Sequence, residues 1–114
     1  MVEEDNETWI LETGHDIVGK KAVQGSSSLS PIECLTYCLW VADYGMRNAG
    51  DLTTAGDLNP SFLEDGKAAA EAVGLPQSIA AFSLPSGELE RSYFDRFEEL
   101  VDEIRAAYAA QSRG

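Results

Sequence analysis

The chain has 114 residues, of which 20 are Asp or Glu and 8 are Lys or Arg, so its formal net charge is -12 with the one histidine neutral. This excess excludes direct binding to nucleic acid or anionic lipid, because affinity for a phosphate backbone comes from Lys and Arg releasing counterions, and it makes a basic protein surface the matching partner. An apolar share of 44% suits one compact core; no window approaches the roughly 18 apolar residues of a membrane span, and the N-terminus lacks the pattern of a signal peptide, so a cytoplasmic location is expected.

Residues 1–8 hold Glu3, Glu4, Asp5 and Glu7 and read as an acidic flexible tail ahead of a single helical domain over residues 9–114. Trp9-Ile10-Leu11 is a short apolar run, soon interrupted by Gly14, Gly19 and the loop-like Gly25-Ser26-Ser27-Ser28. A helical turn and a short edge strand both fit it. The pattern sharpens at Ser30, which can cap a helix, with Pro31 at its first position and Glu33 placed to close a capping box. Ile32, Leu35, Leu39, Ala42 and Met46 then recur at helical spacing, and Cys34, Cys38 and Val41 widen the apolar arc, as expected of the central helix of the core. Thr36, Trp40, Asp43 and Arg47 fall on the remaining face, with Asp43 and Arg47 as an i,i+4 pair.

Asp51 to Asn59 has the composition of a loop, and Asn59-Pro60 starts a second helix, with Phe62, Ala69 and Val73 on one side. Gly74-Leu75-Pro76 ends it in a Schellman-type stop. A short helical turn over Ser78 to Phe82 and the break at Leu84-Pro85-Ser86-Gly87 precede the longest helix, from Glu88 to Ala110. Its apolar stripe is Leu89, Tyr93, Phe97, Leu100, Val101, Ile104 and Tyr108. The expected fold class is mainly α, a compact domain of three to four helices, with short N-terminal strands left open.

Residues suited to catalysis are few. His15, the only histidine, lies in the poorly patterned N-terminal stretch, and Cys34 has no cationic neighbour in sequence to activate it. Cys34 and Cys38 share a helical face as free thiols, without the second ligand pair of a structural zinc site. No phosphate loop, HExxH or calcium-loop pattern occurs. No catalytic residue, cofactor or metal site is therefore expected.

The chemistry-bearing feature is the outer side of the last helix, where Arg91, Asp95, Glu98, Glu99 and Asp102 recur at helical spacing as the candidate partner-binding residues. A solvated surface explains them. So does a ridge of carboxylates spaced like phosphates, fit for a basic groove. Glu98 and Asp102, four apart and like-charged, repel by a few tenths of a kcal/mol.

Leu29-Ser30-Pro31-Ile32-Glu33, Tyr37 and Arg47-Asn48-Ala49-Gly50-Asp51 resemble small acidic helical bacterial proteins of the DNA-mimic type, over roughly residues 29 to 100. The resemblance implies a cytoplasmic acidic protein that occupies the DNA-binding surface of a regulator. The expected function is accordingly a non-catalytic regulatory or inhibitory protein that binds a basic, nucleic-acid-binding protein. The alternatives are an assembly subunit that forms a homodimer through Trp40, Tyr44, Phe94 and Tyr108, and, less favoured, a small enzyme.

Overall fold

The computed structural model describes residues 4–113, so Met1 to Glu3 of the acidic segment and Gly114 lie outside it. At the centre is α2 (Pro31–Ala49), which begins as the capping box requires: the Ser30 hydroxyl accepts from the Glu33 N–H at 3.3 Å and the Glu33 carboxylate accepts from the Ser30 N–H at 2.9 Å. Leu35, Cys38, Leu39, Val41 and Ala42 are buried, and so are Thr36 and Asp43 on the face that periodicity left to solvent. The helix is therefore covered on nearly all sides. Thr36 tolerates this because its hydroxyl donates to the Ile32 carbonyl at 2.7 Å.

Helix α1 (Asn6–Gln24) runs antiparallel to α2, with Glu7 facing Arg47 near one end and Lys20 facing Glu33 near the other. The Asp5 carboxylate caps it, accepting from the Thr8 N–H at 2.7 Å. Residues 5–8, read from sequence as part of a tail, are thus the cap and first turn of a helix. Gly14, which breaks the apolar pattern, is what lets the two helices meet: a Cβ there would fall 2.2 Å from Cδ1 of Trp40.

Helix α4 (Phe62–Val73) packs on α2, and its Ala69 and Ala70 are buried. Its Gly66 receives the Phe82 ring, 2.6 Å from where a Cβ would stand. Gly74 ends α4 at φ 81°, with the Gly74 and Leu75 N–H groups both donating to the Ala70 carbonyl. Two shorter helices, α3 (Thr53–Leu58) and α5 (Pro76–Phe82), flank α4 in sequence, and α6 (Ser86–Arg113) closes the bundle against α2, where Tyr93 meets Asp43. With a radius of gyration of 13.0 Å, the described chain has the size of one globular unit. No helix among the described residues is long and apolar enough to cross a membrane.

These elements correct the expected three to four helices with optional strands: the described residues hold six α-helices and no strand. The physical reasons are specific. Trp9, Ile10 and Ile17 bury the inner face of α1, so the glycines that looked like breaks sit inside a packed helix. The α4 helix starts at Phe62 rather than at Asn59-Pro60, because the Asn59 side chain turns back to accept from the Ser61 N–H at 3.2 Å.

Helix α5 has no N-terminal side-chain cap of its own and takes one from α6, while α3, whose Thr53 N–H donates to the Asp51 side chain at 3.1 Å, gains a further acceptor from α6 just ahead of it. The Glu90 carboxylate accepts from the Leu52 N–H at 2.9 Å ahead of α3. Glu103 accepts from the N–H groups of Gln77 and Ser78 at 3.0 and 2.8 Å and from the Ser78 hydroxyl at 2.7 Å. Because Ser78 is fully buried, Glu103→Ala strands donors away from water and is expected to destabilise the fold by about 2–3 kcal/mol. Glu103→Gln retains an acceptor and loses less. Urea unfolding of both variants checks this, and an unchanged midpoint in Glu103→Ala would mean that α5 does not depend on the cap.

Candidate functional site

Arg91, Asp95, Glu98, Glu99 and Asp102 are all exposed along α6. The structure adds a contact that periodicity could not supply. The side-chain amide of Asn6 donates to Glu98 Oε1 at 2.7 Å and to Asp102 Oδ1 at 2.8 Å, placing one NH2 group between the two like charges. The Asn6 carbonyl oxygen accepts from Arg105 at 3.2 Å, and Arg105 also donates to the Glu4 backbone carbonyl at 2.7 Å. The repulsion expected of the Glu98–Asp102 pair is thereby offset, and the start of α1 is fastened to the acidic side of α6.

The acidic surface consequently continues from α6 onto α1. Glu4 and Glu12 approach closely enough for a hydrogen bond between their carboxyl groups, which holds the Glu4 carboxyl above its usual range. Asp5 behaves oppositely: the Thr8 hydrogen bonds hold its carboxyl below the usual range. Asn6, Glu4 and Glu12 were absent from the sequence-based site. The partners of Asn6 lie on α6, with Asn6 and Glu98 92 positions apart, while Glu4 and Glu12 face each other at the start of α1.

A charge network that runs from buried Asp43 and Tyr93 to exposed Arg47 and Glu7 joins the same helices. Asp43 Oδ1 accepts from the Tyr93 hydroxyl at 2.6 Å, and both Asp43 oxygens accept from Arg47 Nε at 3.0 Å. Arg47 continues to Glu7 at 3.5 Å and lies over the rings of Phe97 and Phe94, 4.8 and 5.3 Å from their centroids. One guanidinium therefore joins α1, α2 and α6. Burial raises the Asp43 carboxyl above its ordinary range, against the pull of the Tyr93 hydroxyl and the Arg47 charge. Burial and the adjacent Asp43 charge also raise the Tyr93 phenol.

The aromatic candidates separate. Trp40 is half-buried between Tyr37 and Tyr44, with centroids 6.4 and 5.7 Å away, and Tyr108 sits edge-on to Trp9 at 5.8 Å. Tyr44 and Phe94 keep 41% and 52% of their surface exposed, as does Leu11 at 58%. His15 lines a shallow depression with Leu11, Glu12 and Asp16, while Cys34 lines separate cavities beside α4. Their side chains therefore do not share a cavity. Among the described residues no three His, Cys, Asp or Glu side chains converge as a metal-ligand set.

Comparison with protein-family models, characterised proteins and solved structures finds no match. Functional inference therefore starts from this chain's own geometry.

Removing the buried donor in Tyr93→Phe is expected to cost about 1–3 kcal/mol at neutral pH. The Tyr93 hydrogen bond favours the Asp43 carboxylate, so its loss raises a folded-state pKa that already lies above the unfolded value. The cost is full above that folded pKa and shrinks as pH falls through it. Urea midpoints at neutral and acid pH measure this, and an equal loss at both would show that the hydroxyl does not support the carboxylate.

Proposed function

We propose that the protein is a non-catalytic regulatory or inhibitory protein that binds a basic protein partner through the acidic face of α6. The observation that carries this reading is the fixed row of carboxylates on the 28-residue helix, with Glu98 and Asp102 bridged by Asn6 instead of splaying apart. At about 1.5 Å of rise per residue, Asp95, Glu98, Glu99 and Asp102 average roughly 3.5 Å of axial spacing, close to the ~3.4 Å per phosphate along one strand of B-DNA. A basic groove that accepts a phosphate backbone matches this charge density. The partner class that fits best is a nucleic-acid-binding protein, and the resemblance to DNA-mimic proteins points the same way. Association of this kind is fast and weakens steeply with salt.

The test uses carboxylates outside the Asn6 bridge. The wild-type chain, Asp95→Lys/Glu99→Lys and a charge-matched control, Glu64→Lys/Glu71→Lys on exposed positions of α4, are used to capture proteins from a lysate of the native organism at low and moderate salt. Wild type and control are expected to recover the same basic, nucleic-acid-binding protein at low salt and to lose it at moderate salt. The α6 variant is expected to bind it at least about tenfold more weakly, because each close interfacial charge contact contributes on the order of 1 kcal/mol or more. Undiminished capture by the α6 variant would remove the ridge from the mechanism.

The exposure of Tyr44 and Phe94 favours a second reading, self-association through apolar surface that includes these two rings. A homodimer of this kind would be insensitive to salt. Light scattering at two ionic strengths distinguishes it from the electrostatic reading.

A further inference from the structure

Three large apolar side chains stay exposed on neighbouring parts of α1, α2 and α6: Leu11 at 58%, Tyr44 at 41% and Phe94 at 52%. On α1, Glu7 meets Arg47 and Gly14 meets Trp40. Leu11 lies about one helical turn from Glu7 and from Gly14, and Tyr44 lies about one turn from Trp40 and from Arg47, so in this antiparallel pair the two stand opposite each other. Arg47 carries the surface on to α6, with its guanidinium 5.3 Å from the Phe94 ring centroid, and Trp40 backs Tyr44 at 5.7 Å. The result is an apolar strip across three helices.

Acidic groups border this strip. Leu11 shares a shallow depression with Glu12, His15 and Asp16. Phe94 precedes Asp95 and is one turn from Glu98 on α6. Of the cations beside it, Arg47 is already engaged by Asp43 and Glu7, and Arg91 leaves the border net negative. The strip also runs into the acidic face of α6, since Asn6, next to Glu7, bridges Glu98 and Asp102.

Taking the binding of a basic partner by α6 as the starting point, we propose that this strip is the docking surface for a basic amphipathic helix of that partner. Apolar side chains of the helix seat on Leu11, Tyr44 and Phe94, and its Lys or Arg residues reach Glu7, Glu12 and Glu98. Charge complementarity selects this occupant over a second copy, which would bring the same acids to the same border on a chain of net charge -12. Area points the same way. The three side chains expose on the order of 300 Å², enough for the few anchors of one docked helix, whereas each partner in a stable interface contributes roughly 800 Å². In a dimer the remainder would set acid against acid.

The probe is a labelled Leu/Lys peptide of about five helical turns, patterned as an amphipathic helix, with a scrambled peptide of the same composition as control. Binding to the full chain is followed by fluorescence anisotropy at low and moderate salt. Wild type is expected to prefer the patterned peptide by at least about tenfold, and Leu11→Gln/Phe94→Gln, at two exposed positions, to lose that preference. If circular dichroism shows that the double variant does not fold, Leu11→Gln and Phe94→Gln are used singly, and each should lose part of it. Equal binding of the two peptides by wild type, no binding, or an undiminished preference in the Gln variants would overturn the proposal. Where the two peptides bind equally and only Asp95→Lys/Glu99→Lys weakens them, the strip falls and the acidic face of α6 stands. Conversely, a preference lost in the Gln variants but intact in Asp95→Lys/Glu99→Lys upholds the strip and removes those two carboxylates. A salt-insensitive homodimer abolished by Leu11→Gln/Phe94→Gln would assign the strip to a second copy and so overturn it.

Discussion

The long helix α6 supplies hydrogen-bond acceptors where other elements begin, and the arrangement of those elements depends on it. Glu90 meets the backbone just ahead of α3, Glu103 meets the first turn of α5, and Glu98 and Asp102 hold Asn6 at the start of α1. Helices of six and seven residues lie well below the ~12–15 residues at which an isolated helix becomes marginal in water. Beside the Asp51 acceptor on the Thr53 N–H of α3, they are held because α6 accepts from N–H groups at or just ahead of their starts, and because negative charge is favourable at a helix start. An acid surplus that could be taken for simple solubilisation is partly structural.

This arrangement explains which parts of the fold the sequence discloses. The Ser30-Pro31-Glu33 start of α2 and the Gly74-Leu75-Pro76 end of α4 are readable because both partners of each hydrogen bond lie within a few positions. The helical turn expected over Ser78 to Phe82 is the latter part of α5, whereas α3 has the composition of a loop, and part of what holds both starts comes from α6, as with Glu90 and Leu52, 38 positions apart. The start of α1 was misread for a related reason: Asp5 caps locally, but Asn6 is secured by α6. Gly14 misled in another way, since its missing side chain makes room for Trp40, a packing requirement that looks like a helix breaker when read alone.

The candidate sites divide along the same line. Repetition along one helix was enough to mark Asp95, Glu98, Glu99 and Asp102 as an outward row, and they are exposed. The Asn6 bridge and the extension of the acidic surface to Glu4 and Glu12 needed the fold. Asp43 shows a local pair completed from afar. Spacing predicted the i,i+4 pair with Arg47, which forms, but not that the carboxylate is buried and also accepts from Tyr93 across the α2–α6 contact. Cys34 lacked a cationic neighbour in sequence, yet packing of α1 on α2 brings Lys21 to the same cavity.

Structural and binding uses of Glu98 and Asp102 are chemically compatible. A carboxylate presents two oxygens with about four acceptor positions between them. Asn6 engages Oε1 of Glu98 and Oδ1 of Asp102, so a guanidinium or ammonium from a partner can address the second oxygen of each without displacing it. The bridge also lowers the cost of recognition, because side chains already held by Asn6 have less rotamer freedom left to lose when a partner docks. Asp95 and Glu99 complete the row and are exposed without that brace. Under the proposed function, the hydrogen bonds that fasten α1 to α6 therefore also set the spacing of the charges a basic partner would meet.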